Sequence, residues 1–91
     1  MLLTECITEF IGSVIICIIG VWTRNAFLAG STIMVCSLVA FNANLSKGSF
    51  NPTITLAMTL FKQQSWSDMF WYLLAQFSGA GIVWFTYTRY Y

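Results

Sequence analysis

The sequence has no histidine and very few charged side chains. Of its 91 residues, 8% are charged and 58% are hydrophobic. A soluble domain averages about 25% charged residues, so this chain lacks the polar groups needed to cover a folded surface. The composition predicts an integral membrane protein, which we expect in the cell membrane with the lipid bilayer as a partner. The net charge of +1 and the lack of a basic run argue against nucleic acid as a partner.

The chain also lacks the residue patterns of catalytic and metal sites. It has three scattered acids and no histidine, and no glycine-rich phosphate loop follows a strand. Its three cysteines form no Cys-x-x-Cys pair, which indicates neither a disulfide framework nor a metal site. We therefore expect no enzyme, no cofactor and no bound metal.

Three apolar segments are long enough to cross a bilayer, at about residues 3–22, 26–43 and 69–87. A hydrocarbon core of about 30 Å needs about 20 helical residues, with a lower limit near 17. The first segment lacks a basic leader and a small-residue cleavage site, so we expect a retained span and not a signal peptide. The tight link Thr23-Arg24-Asn25 predicts antiparallel packing of the first two spans.

A fourth apolar piece, residues 52–61, is half the length of the others and opens with Asn51-Pro52-Thr53. At about 1.5 Å per residue it reaches only halfway across a bilayer. Asn51 is predicted as its N-cap, and Pro52 takes the first helical position, where no N–H donor is needed. The predicted fold is all-α: three transmembrane helices plus a re-entrant loop and half-helix at about residues 44–61, in one domain over residues 1–91.

Two polar side chains interrupt the apolar spans. Glu9 either faces the bundle interior and accepts N–H groups of the re-entrant loop, or extends to the interface beside Glu5. The apolar stretch that continues after Glu9 favours the interior. Gln76 either bridges helices, which is the commoner role, or contacts a solute.

The start of the half-helix is the predicted solute site. A positive helix end that carries an asparagine donor suits polar solutes and repels cations. Thr53 either adds a polar contact at the constriction or bonds back to its own helix.

Three motifs, in order, resemble the first half of the aquaporin and glycerol-facilitator family, the major intrinsic proteins. They are Glu9 to Ser13, Gly48 to Ala57 around Asn51-Pro52-Thr53, and Leu74 to Ala80 around Gln76. The resemblance covers about residues 8–81. It implies a channel for water or small neutral solutes such as glycerol, in which Asn51 donates to passing molecules. It also implies that Glu9 braces the loops and that Gln76 packs the third span.

The departures from the family pattern bear on conduction. Thr53 stands for the usual alanine, Ser49 for a histidine, and Ile54 for the arginine of the pore filter. The family's pore has six spans and two such loops, so we expect conduction only with a second half. The second half is either an antiparallel copy of this chain or a separate partner chain. Assembly into a higher oligomer is a further alternative. The alternative is a truncated, non-conducting aquaporin-like protein, either a fragment or a modulator of full-length channels.

Overall fold

Four α-helices form the computed structural model, which describes residues 1–90. They are α1 (Leu2–Thr23), α2 (Ala26–Asn42), α3 (Pro52–Leu60) and α4 (Trp66–Tyr90). No strand occurs within residues 1–90, so the all-α prediction is confirmed. Tyr91, the last residue of the predicted domain, lies outside the described residues.

The helices begin and end where the local sequence favours it. Arg24 follows α1 in the left-handed region at φ 50°, and Asn25 caps α2 with a 3.0 Å hydrogen bond to a first-turn N–H. At α3, Asn51 Oδ1 accepts from the Thr53 N–H at 2.8 Å, and Pro52 holds the first helical position. The predicted cap and the predicted place of the proline are thus confirmed.

One helix within residues 1–90, α1, is both long enough and apolar enough to cross a membrane by length and composition. Helix α2 is apolar but has only 17 residues. Helix α4 has 25 residues but is less apolar than α1, because polar and aromatic residues are spread along it.

The described residues bury polar side chains and expose apolar ones. The buried polar residues are Glu9, Ser13, Ser46, Ser49, Thr55, Thr59, Gln64 and Gln76, and they outnumber the buried hydrophobic ones. Large apolar side chains point outward, among them Phe27, which is 78% exposed. Water-soluble proteins bury most such side chains. The distribution is typical of a protein whose outer surface faces lipid.

Helix α4 packs along α1 and against α3, and α1 also packs against α2. Gly79 permits the close approach of α4 to α1, because a Cβ there would lie 3.0 Å from the carbonyl oxygen of Phe10 and from the Cβ of Ser13. The loop between α2 and α3, residues 43–51, folds back between these helices. This packing brings the loop against the side chain of Glu9.

Candidate functional site

The carboxylate of Glu9 lies at the centre of a buried hydrogen-bond network. Glu9 is fully buried, and its Oε1 accepts the backbone N–H of Phe50 at 2.9 Å. The hydroxyls of Ser46 and Ser49 donate to its two oxygens at 2.7 and 3.2 Å. Gln76 Nε2 adds a fourth donor at 2.9 Å. A carboxylate removed from water needs such partners, so α1 is tied both to the loop and to α4.

The amide of Gln76 connects three elements. Its Nε2 donates to Glu9 on α1 and, at 2.8 Å, to the hydroxyl of Thr55 on α3. The amide oxygen would repel the carboxylate, so the nitrogen must face Glu9. The oxygen therefore points elsewhere, and it has no partner within residues 1–90, like the hydroxyl of Ser13. Both residues line a cavity of about 140 Å³ next to Pro52.

The loop backbone is held in an unusual conformation at Phe50. Its φ of 50° is left-handed, which for a bulky residue is of order 1–3 kcal/mol unfavourable unless the surroundings enforce it. Two contacts enforce it. The Phe50 N–H is bound by Glu9, and the ring fills the space that Gly12 leaves open, where a Cβ would overlap it. Two residues earlier in the loop, Gly48 has φ 68°, and its carbonyl oxygen accepts a hydrogen bond from the Ser37 hydroxyl at 2.8 Å.

The residues predicted to meet a solute lie at the N-terminal end of α3. Asn51 and Thr53 are exposed, and Pro52 is half-buried. Asn51 Oδ1 accepts the Thr53 N–H, so the exposed side chain retains its Nδ2 as an available donor. Ile54, the position that matches the filter arginine, is 46% exposed beside them. A cavity of about 290 Å³ opens here, lined by Ile16, Ile33, Ser49, Phe50, Asn51, Pro52 and Ile54.

Sequence reasoning missed the hydroxyl groups of the network. No feature of the sequence marked Ser46, and Ser49 stood out only because it replaces a family histidine. Both are buried against Glu9. Thr55 Oγ1 lies 2.9 Å from Ser49 Oγ and does not bond back to its own helix. The one available signal was the presence of two serines, Ser46 and Ser49, shortly before a predicted half-helix.

Residues 1–88 match the model of the family described as "Major intrinsic protein". The chain belongs to the major intrinsic protein family. Human aquaporin-9 is 29% identical to it over 89 residues, which cover 84% of this chain and 30% of aquaporin-9. The chain therefore spans less than a third of the length of that relative. No solved structure gives a significant match.

Membership of the major intrinsic protein family sets the class of the molecule. Members are channels that sit in lipid bilayers and usually form oligomers, and they are not enzymes. The predicted family is therefore confirmed. Membership therefore places the chain in a family of integral membrane channel proteins.

Proposed function

We propose that this chain forms one half of a transmembrane pore for water or small neutral solutes such as glycerol. The observation that carries the proposal is the start of α3, where the side chain of Asn51 caps the helix and keeps an amide donor exposed. A helix N-terminus carries about half a positive charge. Such an end binds the oxygen of a neutral solute and repels cations.

The proposed membrane arrangement has three spans, formed by α1, α2 and α4, with residues 44–61 as the re-entrant segment. Helix α3 has nine residues, which at about 1.5 Å each is less than half of a bilayer core of about 30 Å. Polar backbone at that depth needs partners from protein or water. Glu9 supports this arrangement, since it supplies an acceptor to the loop inside the helix bundle.

Each site residue has a separate role in this proposal. Asn51 donates to the solute, while Pro52 and Thr53 form the adjoining wall of the path. Glu9 and Gln76 brace the loop from α1 and α4 through the hydrogen bonds described above. Ile54 makes the path apolar at the position that matches the filter arginine, so we expect weak discrimination among small neutral solutes.

The proposed pore requires a second half because the Asn51 side of α3 is uncovered. Facing lipid, each unsatisfied polar group there would be several kcal/mol unfavourable. An antiparallel copy of the chain covers it with a matching loop, and a separate partner chain is the other source. In this arrangement Lys47 and Lys62 lie toward one membrane face and Arg24 and Arg89 toward the other. This two-against-two balance of basic residues permits both orientations.

Cysteine labelling tests the antiparallel pair. After Cys6, Cys17 and Cys36 are replaced by alanine, single cysteines are introduced by Gln63→Cys, beside Lys62, or Ala26→Cys, beside Arg24. A membrane-impermeant maleimide applied to intact cells should label about half of each population. Labelling of one position completely and the other not at all would exclude the dual orientation and leave the separate partner chain.

The solute role of Asn51 is tested by Asn51→Asp in proteoliposomes. Aspartate retains the oxygen that caps α3 but loses the amide donor, so solute permeability should fall about tenfold, the equivalent of one hydrogen bond. Asn25→Asp is the matched control, because Asn25 caps α2 in the same way at the other end of the bundle. If the two variants have equal solute permeability, the claim that Asn51 donates a hydrogen bond to the solute is wrong.

The second candidate is a non-conducting member of the family that binds and modulates full-length channels. The observation that favours it is Ile54, an apolar residue at the filter position. This protein would leave vesicle permeability unchanged on its own. It would alter the permeability of vesicles that also contain a full-length family member.

A further inference from the structure

A second polar cluster lies outside the Glu9 network, where the loop leaves α2. The hydroxyl of Tyr72 is at its centre, and the side chain of Tyr72 is completely buried. This hydroxyl accepts the backbone N–H of Lys47 at 3.1 Å and donates to Oε1 of Glu5 at 2.5 Å. One side chain of α4 thus connects the loop to the first turn of α1.

The same carboxylate oxygen also pairs with the side chain of Lys47. The distance from Lys47 Nζ to Glu5 Oε1 is 3.9 Å, and both side chains are partly shielded from solvent, at 35% and 21% exposure. The other oxygen of Glu5 lies 4.0 Å from the Met1 ammonium. Oε1 of Glu5 therefore accepts the hydrogen bond of Tyr72 and also pairs with the ammonium of Lys47. Glu5 and Lys47 border an open pocket of about 250 Å³ that is also lined by Asn44 and Ser46.

The cluster is joined to the Glu9 network through consecutive loop residues. Ser46 donates to Glu9, and Lys47 is bound at its N–H by Tyr72. The Gly48 N–H then donates to the Ser46 hydroxyl at 3.0 Å. Movement of Lys47 would therefore displace both neighbours, and with them the backbone that leads to Asn51.

We propose that Glu5, Tyr72 and Lys47 form a clamp that fixes the loop at the mouth of the solute path and cancels the charge of Lys47. Glu5 and Tyr72 are positioning residues in this clamp. An unpaired Lys47 ammonium at such a mouth would concentrate anions. The carboxylate of Glu5 offsets that charge and leaves one positive charge in the cluster, that of the Met1 ammonium. The inference about solutes rests on the proposed function, whereas the inference about the loop backbone does not.

Hydrogen exchange of the Lys47 amide tests the clamp without any need for conduction. It is measured by NMR on ¹⁵N-labelled protein in lipid nanodiscs. Tyr72→Phe removes the acceptor of this amide but retains the ring, so exchange should be about tenfold faster, the equivalent of one hydrogen bond. Glu5→Gln should accelerate it about threefold, the equivalent of a partly exposed ion pair. Asp68→Asn and Lys62→Met are the matched controls and should leave the rate unchanged.

Two further measurements separate the ion pair from a general loosening of the fold. Raising the salt concentration should speed exchange in the wild type but not in Glu5→Gln, because only the wild type has a pair to screen. The double variant Glu5→Lys with Lys47→Glu reverses the pair and should restore part of the protection that either single reversal removes, since a lysine at position 5 cannot accept the Tyr72 hydroxyl. A rate insensitive to salt and to the double reversal would overturn the role of the ion pair.

Permeability assays then connect the clamp to the solute path. In proteoliposomes, Glu5→Gln should raise the ratio of formate to glycerol permeability severalfold, and adding Lys47→Met should return it to the wild-type value. If the wild type conducts no solute, the proposed pore is wrong. The exchange rates of the Lys47 amide still test whether the clamp holds the loop. If Tyr72→Phe leaves the Lys47 amide as protected as in the wild type, the clamp is wrong whatever the permeability.

Discussion

At the scale of the residue, Glu9 decides how the loop is placed. Its two oxygens accept four donors from the loop and from α4. Phe50 would not remain in a left-handed conformation without that acceptor, since the conformation is intrinsically unfavourable for a bulky residue. Gln76 orients the carboxylate in turn, because its amide nitrogen is the donor that reaches Glu9 from α4.

Glu9→Gln should destabilise the folded state by about 1–3 kcal/mol, because at least one buried donor loses its acceptor. The new amide would also place an N–H group against the donors of Gln76 and the serines. The free energy of unfolding, measured in mixed micelles by denaturant titration, gives the effect. Asp68→Asn, at the start of α4, should lower it by only about 0.3–1 kcal/mol. A Glu9→Gln loss no larger than that of the control would contradict the account.

At the scale of the element, the loop and α3 behave as one unit seated on α1. The seat is the gap at Gly12, into which the ring of Phe50 fits. Ser49 in the loop and Thr55 in the first turn of α3 are linked through their hydroxyls at 2.9 Å, which joins the loop to the helix. The placement of the loop and α3 therefore depends on the absence of a side chain at Gly12 as much as on their own sequence.

Gly12→Ala should destabilise the protein by about 1–3 kcal/mol, since the new Cβ overlaps the ring of Phe50 and a packed interior does not absorb the overlap. Gly20→Ala is the matched control on the same helix, with no neighbouring atom near its added Cβ. It should stabilise α1 by about 0.5–1 kcal/mol, through helix propensity alone. Thermal unfolding in micelles measures both, and shifts of the same sign would contradict the proposed seat.

The helices were predictable from the sequence, while most of the network was not. Thr23-Arg24-Asn25 and Asn51-Pro52 are local signals, and in this chain they lie where α1 ends and where α2 and α3 begin. Glu9 and Gln76 stood out because polar side chains are rare in apolar spans. Ser46, Ser49 and Tyr72 carry no such signal, because their partners lie 25 to 67 residues away in the chain. Only the packed structure brings these groups together.

At the scale of the whole molecule, the polar interior and apolar exterior agree with membership of a family of membrane channels. The uncovered end of α3 departs from this pattern, because Asn51 and Thr53 are exposed beside apolar residues. The proposed second half would cover this end and enclose the cavity of about 290 Å³ beside Asn51. The fold of the loop, the proposed solute site and the proposed assembly therefore all depend on the N-terminal end of α3.

The most direct test of the central claim is stopped-flow light scattering on proteoliposomes that contain the wild-type chain. We predict water and glycerol permeabilities above those of protein-free vesicles, with a weaker temperature dependence than the lipid path. Permeabilities equal to those of empty vesicles, with the protein shown to be folded and inserted, would contradict the proposed pore.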